Sequence, residues 1–257
     1  VLVQMRYFLE FSYNGTNYYG WQIQPGAKSV QETLQKTLST LLGEKLEIAG
    51  AGRTDTGVHA KLMYAHFDTE SYFEIAKLIH RLNSFLPPDI AVSDIIPVHD
   101  DAHARFDATS RTYEYHIHTK KNVFLENLSF QHSRVLDLDA MNLAARQLLL
   151  HDDFEAFSKT NTDVRTFICK ITKAHWEKDH DQLIFTISAD RFLRNMVRAI
   201  VGTLIQVGLG KTTLDEFTKI IESKNRSKAG FSVPAKGLYL VEVRYDYIKT
   251  PETDTAL

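Results

Sequence analysis

What most constrains this chain is a repetition of order rather than of letters. Patterned segments run strand, helix, strand, strand, helix, strand, and then run through that order again. In the first pass Met5–Ser12 alternates Tyr7, Leu9 and Phe11 against Arg6, Phe8 and Glu10, the period of a strand, and Asn14-Gly15 ends it with a turn. Ser29 with Glu32 three residues on marks a helix start. Leu34, Leu38, Leu41 and Leu42 follow at helical spacing, and Gly43 stops them. Leu46–Ala49 and Leu62–Phe67 read as strands. Glu74–Phe85 reads as a helix with Ile75, Leu78, Ile79, Leu82 and Phe85 on its apolar face, ended by Pro87-Pro88, and Ile90–Val98 as a further strand.

A polar connector over residues 99–110 carries His99, His103 and Arg105-Phe106-Asp107. The second pass has a strand over Ser110–Thr119. A helix over Asp137–Leu150 turns Met141, Ala144, Ala145, Leu148 and Leu149 inward. A hairpin of Phe167–Lys178 and Gln182–Ala189 turns at Asp179-His180-Asp181, and Arg191–Val207 is a strongly apolar helix. Thr213–Glu222 is an extra helix opened by the capping pair Thr213 and Glu216, and Leu238–Tyr247 is the last strand.

This order predicts an α+β fold: two similar β-α-β-β-α-β halves, residues 5–105 and 106–247, with mixed or antiparallel sheets packed side by side around a central cleft. Junctions of this kind are favoured ligand sites. Residues 1–4 read as an extension before Met5, and 248–257 as a frayed tail.

The 257 residues suffice for one large domain or two small ones, and no apolar run is long enough for a transmembrane helix, so no membrane partner is expected. A single cysteine, Cys169, excludes an intrachain disulfide and a cysteine-rich zinc site, and fits a reducing cytoplasm. The formal charge of −2 argues against indiscriminate nucleic-acid binding but leaves room for a local basic cleft.

Gly50-Ala51-Gly52-Arg53-Thr54-Asp55-Thr56-Gly57-Val58-His59-Ala60 is the densest signal for chemistry. A run so rich in Gly, Thr and Asp is a loop, and it lies between two strand-like segments, where functional side chains often sit. A tight turn with Asp55 bonded to its own backbone is the competing reading. Arg191, Arg194 and Arg198 fall at helical spacing on one face of an otherwise apolar helix, so one of them could reach Asp55 across the cleft rather than meet open solvent. Arg111, Tyr113 and Tyr115 share one strand face; either they pack across strands, or Tyr113 offers a flat surface to a base.

Other motifs fail on inspection. Gly208-Leu209-Gly210-Lys211-Thr212 lacks the earlier glycine of a P-loop, since position 205 is Ile. Gly50-Ala51-Gly52 has Asp55 where a dinucleotide fingerprint needs glycine. His151-Asp152-Asp153 lacks the accompanying ligands of a metal site and reads as a helix end, so no metal is expected.

Taken together, these pieces resemble the tRNA pseudouridine synthases of the TruA type. The resemblance rests on Gly52–Ala60, on Tyr13-Asn14-Gly15-Thr16 with Gly20-Trp21-Gln22, on Phe106-Asp107-Ala108 to Tyr113-Glu114-Tyr115, and on His151-Asp152-Asp153-Phe154 with Phe157. Arg165-Thr166, Asn195-Met196-Val197-Arg198 with Ile200-Val201-Gly202, and Pro234–Leu238 extend it over residues 5–247. Thr56 stands where alanine is also usual, and Arg194 at a variable site.

The resemblance implies an isomerase that converts uridine to pseudouridine at positions 38, 39 and 40 of the tRNA anticodon stem-loop, without cofactor or metal, as a homodimer. It also implies that Asp55 is the catalytic carboxylate, that Tyr113 stacks on the target base, that Arg198 pairs with Asp55, and that Arg53 holds the space left by the displaced uridine or a nearby phosphate. The chemistry suits these residue types. When the N1–C1′ bond breaks, the sugar carbon becomes electron-poor, and a carboxylate beside it stabilises or traps it; taking a sugar proton is the alternative role. A base within a stem must also be flipped out, at a few kcal/mol. The competing functions are a non-catalytic RNA-binding module using the same cleft and, more remotely, a metal-dependent hydrolase built on His151, Asp152 and Asp153.

Overall fold

The computed structural model describes residues 4–160 and 164–248. Most of the expected extension before Met5 and nearly all of the expected tail lie outside the described residues. In the first half β1 (Met5–Tyr13), α1 (Val30–Leu42), β2 (Ala49–Gly50), β3 (His59–Thr69), α2 (Ile75–Phe85) and β4 (Ile90–Pro97) follow in order. The second half supplies β5 (Ser110–His118), β6 (Phe130–Gln131), α3 (Leu138–Gln147), β7 (Ile171–Asp179), β8 (Gln182–Ala189), α4 (Met196–Gly208), α5 (Leu214–Glu222) and β9 (Leu238–Arg244).

All of these strands belong to one sheet ordered β4-β1-β3-β9-β5-β8-β7, with β2 beside β3 and β6 beside β5. Each half places its strands in the same lateral order, last, first, third, second, which is the arrangement a β-α-β-β-α-β unit adopts when its helices cover one face. The α+β class with mixed pairing is therefore as the element order predicts, and the two halves are joined edge to edge. At the join β3 and β9 run parallel, His59 opposite Tyr239 and Ala60 opposite Leu240. The pairs β1/β3, β1/β4, β5/β8, β5/β9 and β7/β8 are antiparallel.

Each half has its own core. Phe8, Phe11, Leu34, Leu38, Phe67 and Leu82 anchor the first, and Tyr115, Phe154, Trp176, Phe185, Ile200 and Leu204 the second. The cores meet at the join: Val58 of the first half packs in the second core, and Leu240 of β9 in the first. No helix among the described residues is long and apolar enough to cross a membrane.

Several expected boundaries are corrected. The apolar helix begins at Met196 rather than Arg191. Asn195 takes a left-handed backbone (φ 66°), which a continuing helix forbids, and residues 191–195 are not helical. Arg191 and Arg194 therefore do not share a helix face with Arg198. The strand expected at Leu46–Ala49 shrinks to Ala49–Gly50, because Gln35 Oε1 accepts the Ile48 N–H and the Gln31 amide donates to the Ile48 carbonyl. The strand expected from Phe167 starts at Ile171. Leu149 and Phe85, expected inward, are exposed at the ends of their helices. Gly50 and His59-Ala60 lie in β2 and β3, so the glycine-rich loop proper is residues 51–58. At Ser29 only half of a capping box forms: its hydroxyl accepts the Glu32 N–H, while the Glu32 carboxylate pairs with Lys36. The box at Thr213 and Glu216 is complete.

Candidate active site

The loop from Ala51 to Val58 is clamped from both halves. On its first-half side, Trp21 N–H donates to the Thr54 carbonyl at 3.2 Å, and Gly57 N–H to the Tyr18 carbonyl at 3.3 Å. The buried Tyr13 hydroxyl shares a hydrogen bond with Thr54 Oγ1 at 2.8 Å. Two glycines permit this approach. A Cβ on Gly15 would lie 1.9 Å from the Val58 carbonyl oxygen, and one on Gly20 (φ +88°) 2.4 Å from the Thr54 carbonyl oxygen. Thus Asn14-Gly15 and Gly20-Trp21 serve as the loop's backing.

His59 closes the loop's end. Its Nδ1 accepts the Gly15 N–H at 3.0 Å, and its Nε2 lies 3.2 Å from the Lys236 carbonyl. That pair of contacts fits a neutral ring with the proton on Nε2, and burial lowers the His59 pKa in the same sense. The ring stacks on Tyr239, centroids 4.6 Å apart.

Asp55 is held between two guanidiniums. Arg198 Nη1 lies 3.6 Å from Asp55 Oδ2, and Arg194 Nε lies 3.6 Å from Asp55 Oδ1. The Asp55 and Arg198 side chains are 29% and 21% exposed, whereas Arg194 is 59% exposed, so the Arg198 pair is the better shielded from water. At that separation and an effective dielectric near 20 each attraction is roughly 4–5 kcal/mol before desolvation. Arg198 is itself oriented from α4: its Nε donates to the Val233 carbonyl at 2.7 Å, and its carbonyl accepts the Val233 N–H at 3.2 Å. The Asn195 amide donates to Ser232 Oγ at 2.6 Å, tying the start of α4 to the same segment.

Tyr113 stands on β5. Its ring is half-buried and meets Phe192 edge-on, centroids 5.2 Å apart at 90°. Burial pushes its hydroxyl up to about 12; the nearby Arg111 charge pulls it down and the Asp55 charge adds to the rise. Arg53 is exposed on the loop. The fold thus brings Arg198 and Arg194 to Asp55, with Tyr113 near enough for the Asp55 charge to act on its hydroxyl and Arg53 exposed two residues earlier on the loop.

The sequence reading gave Arg111 no role of its own. Its guanidinium Nη1 donates to the carbonyls of Ala108 (2.9 Å) and Asp190 (2.7 Å), and its Nη2 to those of Ala51 (3.1 Å) and Arg105 (2.5 Å). One side chain thereby joins the Asp55 loop, the connector between the halves and the segment leading to Arg194. No local spacing reports such a contact; the only hint is an arginine two residues before Tyr113 on the same strand face. Arg194 was noted in sequence as one of three alternatives, and the structure brings it to Asp55 from outside the helix. His59 lay inside the loop motif without a role.

His151-Asp152-Asp153 stands apart. Asp153 pairs with Lys224 at 2.8 Å and accepts the Glu155 N–H at 3.1 Å. No group of three or more His, Cys, Asp or Glu side chains among the described residues is placed to hold a metal ion.

An oriented carboxylate flanked by cations, beside an aromatic ring, suits a planar ligand carrying a sugar and phosphates. The profile of the tRNA pseudouridine synthase family matches residues 11–107 and 144–246. A protein named tRNA pseudouridine synthase A from Bacteroides thetaiotaomicron is 53% identical over 243 residues, covering 93% of this chain and 90% of that protein. Proteins of the same name from Bacteroides fragilis (53% over 242 residues, 93% and 96%) and Acetivibrio thermocellus (42% over 239 residues, 92% and 98%) are similar along nearly their whole length. The chain belongs to the tRNA pseudouridine synthase family.

Proposed function

We propose that this enzyme isomerises uridine to pseudouridine at positions 38, 39 and 40 of the tRNA anticodon stem-loop, with Asp55 as the catalytic carboxylate. The observation that carries the residue assignment is the placement of Asp55 on a doubly clamped loop, 3.6 Å from both Arg198 and Arg194. The tRNA positions rest on the family resemblance of the motifs.

In this reading the target nucleotide is everted into the site, and Tyr113 stacks on its uracil. The N1–C1′ bond breaks, and the Asp55 carboxylate meets the electron-poor sugar carbon. The uracil, which left with the bonding pair on N1, turns; C5 bonds to C1′ as that carbon parts from Asp55, the hydrogen on C5 leaves as a proton, and N1 takes up a proton. Arg198, 3.6 Å from its carboxylate, aims Asp55. Arg53 occupies the space vacated by the base or holds an adjacent phosphate. No cofactor or metal takes part. Residues 5–105 and 106–247 act as two lobes, the first carrying Asp55 and the second Tyr113 and Arg198. The enzyme works as a homodimer in the cytoplasm, where the lone buried thiol of Cys169 stays reduced.

The test is tritium release from C5-labelled uridine in tRNA. Asp55→Asn is expected to abolish release while leaving tRNA binding within a few-fold. Near-wild-type release by Asp55→Asn sinks the assignment. A wild-type protein that binds tRNA and releases no tritium would favour the non-catalytic binding module.

A further inference from the structure

The turn over residues 103–107 is built to hold one aromatic ring out in solvent. Phe106 is 74% exposed. The turn beneath it is tightly bonded: His103 Nδ1 accepts the N–H groups of Arg105 (3.1 Å) and Phe106 (3.3 Å), and Asp107 Oδ2 accepts the His103 N–H at 2.7 Å and the Tyr247 hydroxyl at 2.8 Å. The His103 ring packs against Phe106, centroids 4.2 Å apart, so the phenyl group is supported from one side. A large apolar ring fixed and left uncovered is a stacking surface in waiting.

Its surroundings say what would cover it. The Arg105 guanidinium lies 5.8 Å from the Phe106 ring centre. The Arg111 fork ties the Arg105 carbonyl to that of Asp190, the residue before Arg191, and the charges of Arg53 and Arg191 reach Arg105, adding to the burial that lowers its pKa. Among the described residues none of the three forms an ion pair with a carboxylate. The chain as a whole carries a charge of −2, so this local excess is not a by-product of a basic protein. The patch also adjoins the active site, because Arg111 binds the carbonyls of Ala51 and Arg105 with the same nitrogen.

We propose that Phe106 and Arg105, with Arg53 and Arg191, form a second nucleotide subsite at the mouth of the cleft: Phe106 stacks on an unpaired base next to the everted uridine, and the arginines hold the phosphates on either side. This rests on the tRNA-modifying reading above and adds to it a site that receives a nucleotide other than the target. Base stacking on an aromatic side chain is sequence-tolerant, so the subsite recognises a flanking nucleotide of any identity.

The experiment is steady-state tritium release at several salt concentrations. Phe106→Ala, at an exposed position, is expected to raise KM for tRNA about tenfold with kcat within twofold and with an unchanged melting temperature. Phe106→Trp restores KM, and Phe106→Leu does not. The slope of log KM against log salt is unchanged by Phe106→Ala and falls by about one in Arg105→Gln. A KM within twofold of wild type for Phe106→Ala, or equal rescue by Leu and Trp, overturns the stacking role. A salt slope unchanged in Arg105→Gln overturns the phosphate role. Absence of tritium release from the wild-type protein would instead sink the underlying reading of the function, so the two failures are distinct.

Discussion

Removing the Arg111 fork should loosen the molecule and misplace its chemistry together. Arg111 donates to four backbone carbonyls at 2.5–3.1 Å. Ala51 and Ala108 are 1% and 8% exposed, so their carbonyls gain little water if the donor is lost. A buried acceptor left unsatisfied costs about 1–3 kcal/mol. Arg111→Met, which keeps the apolar stem, should therefore lose about 2–6 kcal/mol, with the rehydrated carbonyls of Arg105 and Asp190 adding little. Arg111→Lys keeps a charge but cannot reproduce the planar fork, and should recover part of the loss. The assay is urea denaturation paired with tritium release at a temperature where each variant is folded. Because Ala51 shares a loop with Asp55, and Asp190 leads to Arg194, kcat should fall at least tenfold in Arg111→Met while KM changes little. A stability loss under about 1 kcal/mol, or a large stability loss with unaltered kcat, refutes the reasoning.

Three further perturbations follow from the geometry. Arg198→Ala should lower kcat more than tRNA affinity, and Arg194→Ala should do so less, because Arg194 is 59% exposed and its attraction more screened; equal effects on kcat would contradict this ranking. Gly20→Ala forces a Cβ to within 2.4 Å of the Thr54 oxygen at φ +88° and should cost about 1–3 kcal/mol and reduce turnover, whereas Gly26→Ala, whose Cβ would meet nothing within 4 Å, should leave turnover intact. Acid should weaken the fold in two stages. Burial, reinforced by the charges of His103 and Arg6, holds His66 near 4 against an ordinary 6.5, and its Nδ1 accepts the Ala104 N–H. The unfolded chain takes that proton first, so stability falls between about pH 6.5 and 4 by at most about 3 kcal/mol. Glu114, held at about 2 by its hydrogen bonds to His116 and Lys61, adds a loss below its ordinary 4.5. Urea midpoints at pH 7 and pH 4.5 check the first stage, which His66→Gln should lessen without abolishing, because burial lowers the His59 pKa in the same sense.

What could be read ahead of the structure was local. The capping residues Ser29 and Thr213, the His180-Asp181 hairpin turn and the glycine-rich loop all act within a few residues of themselves, so their letters carry their geometry. The start of α4 was not readable in this way. Phe192 and Leu193 continue the apolar pattern without being helical, because they pack against Tyr113 and the second core. The break is fixed by Asn195, whose amide reaches Ser232 far along the chain. The Arg111 fork was hidden for the same reason: its acceptors come from three separate segments, and only the finished sheet brings them within 3.1 Å. Leu149 and Phe85 show the limit of periodicity at helix ends, where the neighbour that would cover the side chain is missing.

The parallel join of β3 to β9 has a consequence for the birth of the molecule. The ribosome makes β3 early and β9 last among the described strands, yet the sheet seats them side by side, directly after the Asp55 loop. A nascent first half must wait for β9 to emerge before the start of β3 gains this neighbour, and pairings so distant along the chain close slowly. A chain lacking β9 would carry Asp55 without the strand that backs His59 and Ala60, just past the loop.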